Sequence, residues 1–288
     1  MSDAERQNVT APWIRSQKRR NGAPPIVMIT AYDEPFARYV DAAGVDLILV
    51  GDTLAEIVLG YDDTLQVDIK VMTHHVAAVA RARPRALVIG DMPWMSYHLD
   101  PYDAVRNAAA LIRAGAGAVK LEGGSLRLPA VEAIIAAEIP VMGHLGLTPQ
   151  SVHAMGGYRV QGRQVDAAKT LIHDAELLAE AGCMAIVLEG VPEVLAERVT
   201  EAIDVPTIGI GAGPACDGQV LVLHDLLGMS KRSRPKFVRR YAELGDAVVD
   251  AVGRYCADVR SGAFPSDDEA YHGSAELRGA LSQGGHSG

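Results

Sequence analysis

The stretch that decides the fold is Ala118-Val119-Lys120-Leu121-Glu122-Gly123-Gly124, which has the form of a short strand ending in a glycine turn. Side chains alternate along a strand, so Lys120 and Glu122 lie on one face and Val119 and Leu121 on the other. Two opposite charges on an inner face are costly to desolvate unless they pair or bind a ligand. The stretch therefore predicts either a structural Lys–Glu ion pair at a barrel end or part of an active site, which parallel α/β proteins build at this end of their strands.

Similar apolar runs recur along the chain and alternate with segments of helical periodicity. The candidate strands cover residues 25–32, 46–51, 86–90, 118–121, 140–143, 184–188, 206–210 and 220–223. The predicted helices include residues 11–20, 100–114, 126–137, 165–181, 194–203 and a long last helix at 235–259, whereas the link before Val220 is too short for one. Eight such strands favour a (β/α)8 barrel, the TIM barrel fold. A doubly wound open sheet is the alternative, but no G-x-G-x-x-G follows the first strand.

The 288 residues form one predicted domain. We expect an N-terminal segment with a short helix at 1–24, a single barrel at 25–260 and a flexible tail at 261–288, where Gly, Ser, Asp and His occur without periodicity.

A net charge of −9 argues against a nucleic-acid or anionic-membrane partner. No apolar run approaches membrane-spanning length, the N-terminus has no signal-peptide pattern, and the three cysteines have no C-x-x-C spacing. These features predict a reduced, cytoplasmic protein.

Charged residues follow the carboxyl ends of five predicted strands, and a barrel would bring these ends to one mouth. They are Asp52, Asp91, Lys120 with Glu122, His144 and Glu189. The three carboxylates Asp52, Asp91 and Glu122 would repel one another without a cation, and an all-oxygen ligand set suits Mg²⁺. Asp52 has an alternative role as a helix N-cap.

These residue types together predict a metal-assisted enolisation. A metal that holds a 2-oxo acid would polarise its carbonyl and acidify the neighbouring C–H. Glu189 comes from the far side of the mouth and could take the proton, while Lys120 supplies positive charge where an enolate develops. His144 could donate a hydrogen bond to a substrate oxygen, although a structural role is the alternative.

The glycine run Gly209-Ile210-Gly211-Ala212-Gly213 follows the seventh predicted strand. It predicts either a phosphate-binding turn or a tight turn that requires small residues.

Several longer motifs, in order between about residues 13 and 265, resemble the ketopantoate hydroxymethyltransferase (3-methyl-2-oxobutanoate hydroxymethyltransferase) family. They are ITAYD at 29–33, VKLEGG at 119–124, GHLGLTPQS at 143–151, GGYRVQGR at 156–163, GIGAG at 209–213, CDGQVLV at 216–222, HD at 224–225 and PKF at 235–237. Each motif alone is weak, but the ordered set is specific.

The resemblance implies a barrel of the phosphoenolpyruvate/pyruvate type that acts in pantothenate biosynthesis. The implied reaction transfers a one-carbon unit from 5,10-methylenetetrahydrofolate to 3-methyl-2-oxobutanoate and gives 2-dehydropantoate and tetrahydrofolate. Because this substrate carries no phosphate, the resemblance weakens the phosphate-binding interpretation of the glycine run. It also implies a homodecamer of stacked pentamers, that is, a pentamer of dimers.

The resemblance also assigns roles to individual residues by motif. Asp52 and Asp91 match Mg²⁺ ligands, and Glu122 completes the metal site directly or through water. The matching substrate-binding positions are Asp52, Thr53, Asp91 and Lys120. Glu189 matches the proton acceptor.

The chain departs from the family pattern beside the predicted metal site. Thr53 replaces the usual Ser, Ala55 and Glu56 replace a Gly-Met pair, and Gln66 replaces a Pro. These changes leave open two other functions. One is a Mg²⁺-dependent lyase or mutase for another 2-oxo acid, although no cysteine-bearing active-site loop is apparent. The other is a catalytically idle paralogue, which would be expected to lack one of the catalytic or metal-binding groups, yet all are present.

Overall fold

Eight parallel strands close into a barrel in the computed structural model of the chain, which describes residues 8–230 and 235–283. Each strand pairs with the next one in the sequence, and β1 pairs with β8. The strands are β1 (Ile26–Thr30), β2 (Leu47–Val50), β3 (Leu87–Asp91), β4 (Ala118–Glu122), β5 (Val141–Gly146), β6 (Ala185–Glu189), β7 (Thr207–Ile210) and β8 (Gly218–Leu221). The predicted (β/α)8 barrel is confirmed and the open-sheet alternative is wrong.

Helices surround the strands, and aspartate side chains cap several of their first turns. Asp33, Asp68 and Asp100 each accept a backbone hydrogen bond at the start of a helix. The helices are α1 (Ala11–Ser16), α2 (Glu34–Ala43), α3 (Leu54–Ile57), α4 (Ile69–Ala80), α5 (Pro101–Ala114), α6 (Leu128–Ala136), α7 (Val152–Met155), α8 (Val165–Ala181), α9 (Glu193–Ala202), α10 (Leu223–Leu226), α11 (Leu244–Ser261) and α12 (Ala275–Gln283). As predicted, residues 211–217 between β7 and β8 contain no helix. Within the described part of the chain, no helix combines the length and apolar character needed to span a membrane.

The strands place alternate side chains in two separate apolar layers. Val119 and Leu121 of β4 belong to the large layer between the strands and the helices. Ala118 belongs to a smaller layer inside the barrel, to which β1, β2, β5 and β7 also contribute. Because Lys120 and Glu122 lie two and four residues after Ala118, they share its inward face above this layer. The alternation predicted for this stretch is therefore confirmed.

The end of the barrel opposite the mouth is closed by α1 and by a buried ion pair. Ala11 and Ile14 pack against the inner layer. The helix predicted at 11–20 ends earlier, at Ser16, because Lys18 turns into the barrel. The Nζ of Lys18 lies 2.8 Å from Asp217 Oδ2 and 3.0 Å from the carbonyl oxygen of Val205. Both charged side chains are about 1% exposed.

Two predicted boundaries near the C-terminus are wrong. The strand predicted at 220–223 runs instead from Gly218 to Leu221. It begins two residues earlier because Gly218 can pair closely with β1. A Cβ at Gly218 would lie 2.5 Å from the carbonyl oxygen of Ile26, so only glycine permits this approach. The helix predicted at 235–259 begins only at Leu244. The backbone N–H groups of Tyr241 and Leu244 instead donate to carbonyl oxygens at the end of α10, which holds residues 235–243 as an irregular connection.

The proposed division into a segment at 1–24, a barrel at 25–260 and a tail at 261–288 stays a prediction. Within the proposed tail, the structure has the short helix α12, which the sequence pattern did not predict. Its side chains from Ala275 to Ser282 are exposed.

Candidate active site

A single pocket at the carboxyl ends of the strands contains every side chain that the sequence assigned to catalysis, substrate or metal. Its volume is about 50 Å³, which is enough for a few water molecules. The polar members of its wall include Asp52, Thr53, Asp91, Lys120, Glu122, His144 and Glu189. Apart from Thr53 and Glu189, these side chains are buried.

Lys120 is the central cation of the pocket. Its Nζ lies 2.8 Å from Asp91 Oδ1, 4.0 Å from Glu122 Oε1 and 3.4 Å from His144 Nδ1. Burial alone would lower the pKa of Lys120, but the carboxylates of Asp91, Glu122 and Asp52 outweigh it and raise the pKa. Lys120 therefore carries a positive charge, and its ion pairs are part of the pocket rather than a plug at the closed end of the barrel.

Asp52 and Asp91 place two buried carboxyl groups close to each other beside Lys120. The backbone N–H of Asp52 donates to Asp91 Oδ2 at 3.1 Å. Burial and the nearby carboxylates of Asp91 and Glu122 raise the pKa of Asp52 well above its usual value. Burial also raises the pKa of Asp91, although Lys120 opposes the shift. An additional cation would relieve this repulsion.

The donor chemistry suits a hard divalent cation, because Asp52, Asp91 and Glu122 offer only carboxylate oxygens. Among the residues that the structure describes, no three His, Cys, Asp or Glu side chains already surround one point at metal-binding distance. Lys120 and His144 instead lie against two of the three carboxylates. The predicted N-cap alternative for Asp52 is not supported, since Thr53 precedes α3 and Asp52 Oδ2 accepts from a glutamine side chain.

His144 connects two carboxylates on the other side of the pocket. Its Nδ1 lies 3.3 Å from Glu122 Oε1 and its Nε2 lies 3.2 Å from Glu189 Oε2. Burial and the charge of Lys120 oppose protonation of this ring, but the adjacent carboxylates of Glu122 and Glu189 raise the pKa of His144 to about 9. Burial works against ionisation of Glu122 as well, yet the bond to His144 keeps the pKa of Glu122 below its usual value. The structure thus joins Glu189 to the rest of the charged cluster through one imidazolium.

Gln150 and Tyr97 belong to the site although sequence reasoning gave them no role. Gln150 lies in the short 3₁₀ turn Pro149–Ser151 after β5, and Tyr97 lies in the loop after β3. The Tyr97 hydroxyl donates to Gln150 Oε1 at 2.6 Å and accepts from the backbone N–H of Glu122 at 3.2 Å. Gln150 is part of the sequence motif at 143–151. Its side chain is neutral and does not lie at the end of a predicted strand, so nothing in the sequence marked it as a site residue.

The glycine run after β7 is a tightly packed turn. Gly211 has a φ of 61°, and a Cβ there would lie 2.7 Å from the ring of Phe237. A side chain at this position would be strained and would collide with the connection that precedes α11. The tight-turn alternative therefore explains Gly211 without a bound phosphate.

The comparison with protein families gives a match to the model for ketopantoate hydroxymethyltransferase over residues 8–267. A 3-methyl-2-oxobutanoate hydroxymethyltransferase from Methylobacterium sp. (strain 4-46) is 56% identical over 256 residues, which are 89% of each chain. The protein of that name from Ignicoccus hospitalis is 57% identical over 251 residues, covering 87% of this chain and 95% of the relative.

Solved structures with the same fold are more distant in sequence. The barrel resembles 2,3-dimethylmalate lyase, a member of the PEP mutase/isocitrate lyase superfamily, with a TM-score of 0.58 and 19% identity over 96% of this chain and 99% of that one. It also resembles phosphonopyruvate hydrolase in complex with oxalate and Mg²⁺, with a TM-score of 0.57 and 14% identity over 95% and 96% of the two chains. These likenesses concern the fold, whereas the family match spans most of the sequence. The chain belongs to the ketopantoate hydroxymethyltransferase family.

Proposed function

We propose that the protein transfers a hydroxymethyl group to 3-methyl-2-oxobutanoate, with 5,10-methylenetetrahydrofolate as the one-carbon donor. The products are 2-dehydropantoate and tetrahydrofolate, and water supplies the new hydroxyl oxygen. The observation that carries this proposal is the pocket in which Glu189, His144 and Lys120 meet three further carboxylates, in a chain whose relatives bear the name of this transferase. The reaction serves the biosynthesis of pantothenate.

Glu189 is the proton acceptor in this proposal. Its side chain is about 18% exposed, compared with 3% or less for Asp91 and Glu122, so it can exchange a proton with solvent. Its Oε2 lies 3.2 Å from His144 Nε2, so the imidazole holds the carboxylate beside the pocket by charge attraction. A base held in this way can remove the C3 proton of a 2-oxo acid that lies across the pocket.

Lys120 and His144 stabilise the charge that this proton removal creates. Enolisation places negative charge on the oxo oxygen of the substrate, and both cations are buried where their electrostatic effect is strong. Because both are held by carboxylates before the substrate arrives, they need little rearrangement during the reaction.

The apolar part of the pocket wall suits the branched apolar group of the proposed substrate. Its apolar members are Leu49, Pro149, Ile210, Val220, Leu221 and Val222. Thr53 faces the same pocket and binds the substrate together with Asp52, Asp91 and Lys120 in this proposal. Threonine carries one methyl group more than serine, the residue that the family resemblance implies at this position.

We propose Mg²⁺ as the metal, held by Asp52 and Asp91, with Glu122 as a direct or water-mediated ligand. Their hard oxygen donors and mutual repulsion support a divalent cation rather than zinc, which favours His and Cys. When bound, the metal would polarise the oxo group of the substrate and thereby acidify C3.

We also propose a cytoplasmic homodecamer, a pentamer of dimers, that acts on small-molecule substrates. The three cysteines are free thiols, as expected in a reducing compartment. None of the side chains of α11 is buried within one chain, although several are apolar. An assembly in which another chain covers α11 would explain why this helix carries apolar side chains that its own chain does not bury.

The direct test of the proposed chemistry needs no folate. The protein is incubated with 3-methyl-2-oxobutanoate in D₂O, with and without Mg²⁺, and the C3 proton signal is followed by NMR. We expect the signal to disappear at a rate that depends on Mg²⁺. Tetrahydrofolate is added in a parallel sample to detect a site that forms only when folate is bound.

The presence or absence of C3 proton exchange distinguishes the proposed reaction from the alternative functions. Exchange in either sample supports enolisation of this substrate, and formation of 2-dehydropantoate after addition of the one-carbon donor completes the assignment. Absence of exchange in both samples would contradict the proposed substrate and favour the lyase, mutase or idle-paralogue alternatives.

A further inference from the structure

We propose that Gln150 is a positioning residue that sets the orientation of the carboxylates in the predicted metal site. The inference rests on the proposed function, because it assigns a role toward the metal that this function requires. Its basis is a set of four hydrogen bonds that one buried residue makes to groups in the loops after β2 and β3 and at the end of β4.

The side-chain amide of Gln150 uses both of its N–H donors. Nε2 donates to Asp52 Oδ2 at 2.8 Å and to the carbonyl oxygen of Met92 at 2.9 Å. The amide oxygen accepts from Tyr97 at 2.6 Å. A flipped amide would place its oxygen against the two acceptors, Asp52 and Met92, so the contacts permit only one orientation.

The backbone of Gln150 reaches a second carboxylate. Its N–H donates to Glu122 Oε2 at 3.0 Å. Gln150 therefore occupies one oxygen of Asp52 and one oxygen of Glu122. Oδ1 of Asp52 is left for a metal ion, whereas Oε1 of Glu122 already lies 3.3 Å from His144 Nδ1. The third carboxylate, Asp91, has one oxygen fixed in the same way by the backbone N–H of Asp52.

This arrangement counters the repulsion within the cluster. Burial and neighbouring negative charges disfavour the ionised form of Asp52, whereas the hydrogen bond from Gln150 favours it. A donor that is itself fixed at three points can hold Asp52 in place without adding charge. Hydrogen-bond partners of metal ligands commonly change metal affinity by about 10- to 100-fold when they are removed.

The test replaces Gln150 with methionine, which has similar length but no amide. The substitution removes the bonds to Asp52, Met92 and Tyr97 and retains the backbone N–H that serves Glu122. Binding of Mn²⁺ is measured without substrate by EPR and titration calorimetry. We expect the dissociation constant to rise by about 10- to 100-fold and the Mn²⁺ spectrum to change, because the oxygen that Asp52 presents is no longer fixed.

Two further variants make the result specific. Gln17→Met makes the same chemical change after α1, where the amide donates to Trp13 and Ser16 far from the mouth, and Mn²⁺ binding should remain unchanged. Tyr97→Phe leaves both donors of Gln150 in place and removes the bond to its amide oxygen, together with the acceptor for the backbone N–H of Glu122. We expect a smaller increase in the dissociation constant, about 2- to 10-fold.

Unchanged Mn²⁺ affinity and spectrum in folded Gln150→Met would overturn the inference and leave Gln150 a structural residue. If that variant does not fold, Gln150→Asn decides, because its shorter amide cannot span from the same backbone position to both Asp52 and Met92. Wild-type binding of Mn²⁺ by Gln150→Asn would overturn the inference, and weakened binding supports it. The result is independent of the proposed reaction. Absence of hydroxymethyl transfer by the unaltered protein would overturn the reaction, whereas equal Mn²⁺ affinities would overturn only the role of Gln150.

Discussion

Glu189 is the residue whose replacement best separates proton removal from metal binding. Glu189→Gln keeps the shape of the side chain and removes the base. We expect Mg²⁺ affinity to stay within about 2-fold of wild type, while exchange of the C3 proton in D₂O slows by on the order of 10²-fold or more. Exchange is followed by NMR and Mg²⁺ affinity by calorimetry on the same preparations.

Asp91→Asn is the matched change on the metal side of the pocket. It also replaces one carboxylate by its amide, but it removes a proposed ligand and the 2.8 Å partner of Lys120. We expect both Mg²⁺ and substrate binding to weaken. If Glu189→Gln and Asp91→Asn both lost only metal affinity, the division of roles between the two carboxylates would be wrong.

The charged residues of the pocket could be predicted because each lies near the carboxyl end of a strand. Alternation placed Lys120 and Glu122 on the inner face, and the strand ends pointed to Asp52, Asp91, His144 and Glu189. Gln150 and Tyr97 could not be found in this way, since each lies in a loop and its role depends on which other strand ends and loops the fold brings beside it. Their bonds to Asp52 and Glu122 join residues that are 25 to 98 positions apart in the sequence.

At the scale of the elements, the closed end of the barrel depends on the ion pair between Lys18 and Asp217. Removal of one partner leaves the other charge buried, which typically costs about 3–5 kcal/mol. In Lys18→Met, Asp217 keeps donors from Arg19 and Thr207, so we expect a loss near the lower end, about 3 kcal/mol. The free energy of unfolding is measured by urea denaturation.

Lys169→Met provides the matched control for this change. Lys169 is an exposed residue of α8, where the same substitution should alter the free energy of unfolding by no more than about 0.5 kcal/mol. Equal stability of the two variants would show that the buried pair does not hold the N-terminal segment against β7 and β8.

The starts and ends of elements were predicted well where the local sequence determines them. Helix α8 has the predicted bounds, because its periodicity ends at the left-handed cap Gly182. The end of α1 and the start of α11 were misplaced, since both depend on distant partners. Lys18 leaves the helical path to reach Asp217, and Tyr241 and Leu244 donate to the end of α10.

At the scale of the whole molecule, the repeating pattern of strands and helices was enough to predict a closed barrel. The pattern has eight strands, and a helix that covers the sheet follows most of them, which leaves few other topologies. The same pattern does not identify the surfaces that meet another chain. A helix that packs against its own barrel and a helix that packs against a neighbour both show an apolar stripe.

Helix α11 carries such a stripe, and it gives the last prediction. Val248, Val252, Tyr255 and Val259 recur at helical spacing and are 46–55% exposed. Because burial of this stripe between chains would stabilise an assembly, we expect the wild-type protein to have a mass of about 300 kDa by light scattering, ten times the chain mass of 30.5 kDa. Val252→Glu should reduce this mass, whereas Ala257→Glu, which places the same charge on the opposite face of α11, should not. A wild-type mass near that of one chain would contradict the decamer, and an unchanged mass for Val252→Glu would show that other surfaces hold it together.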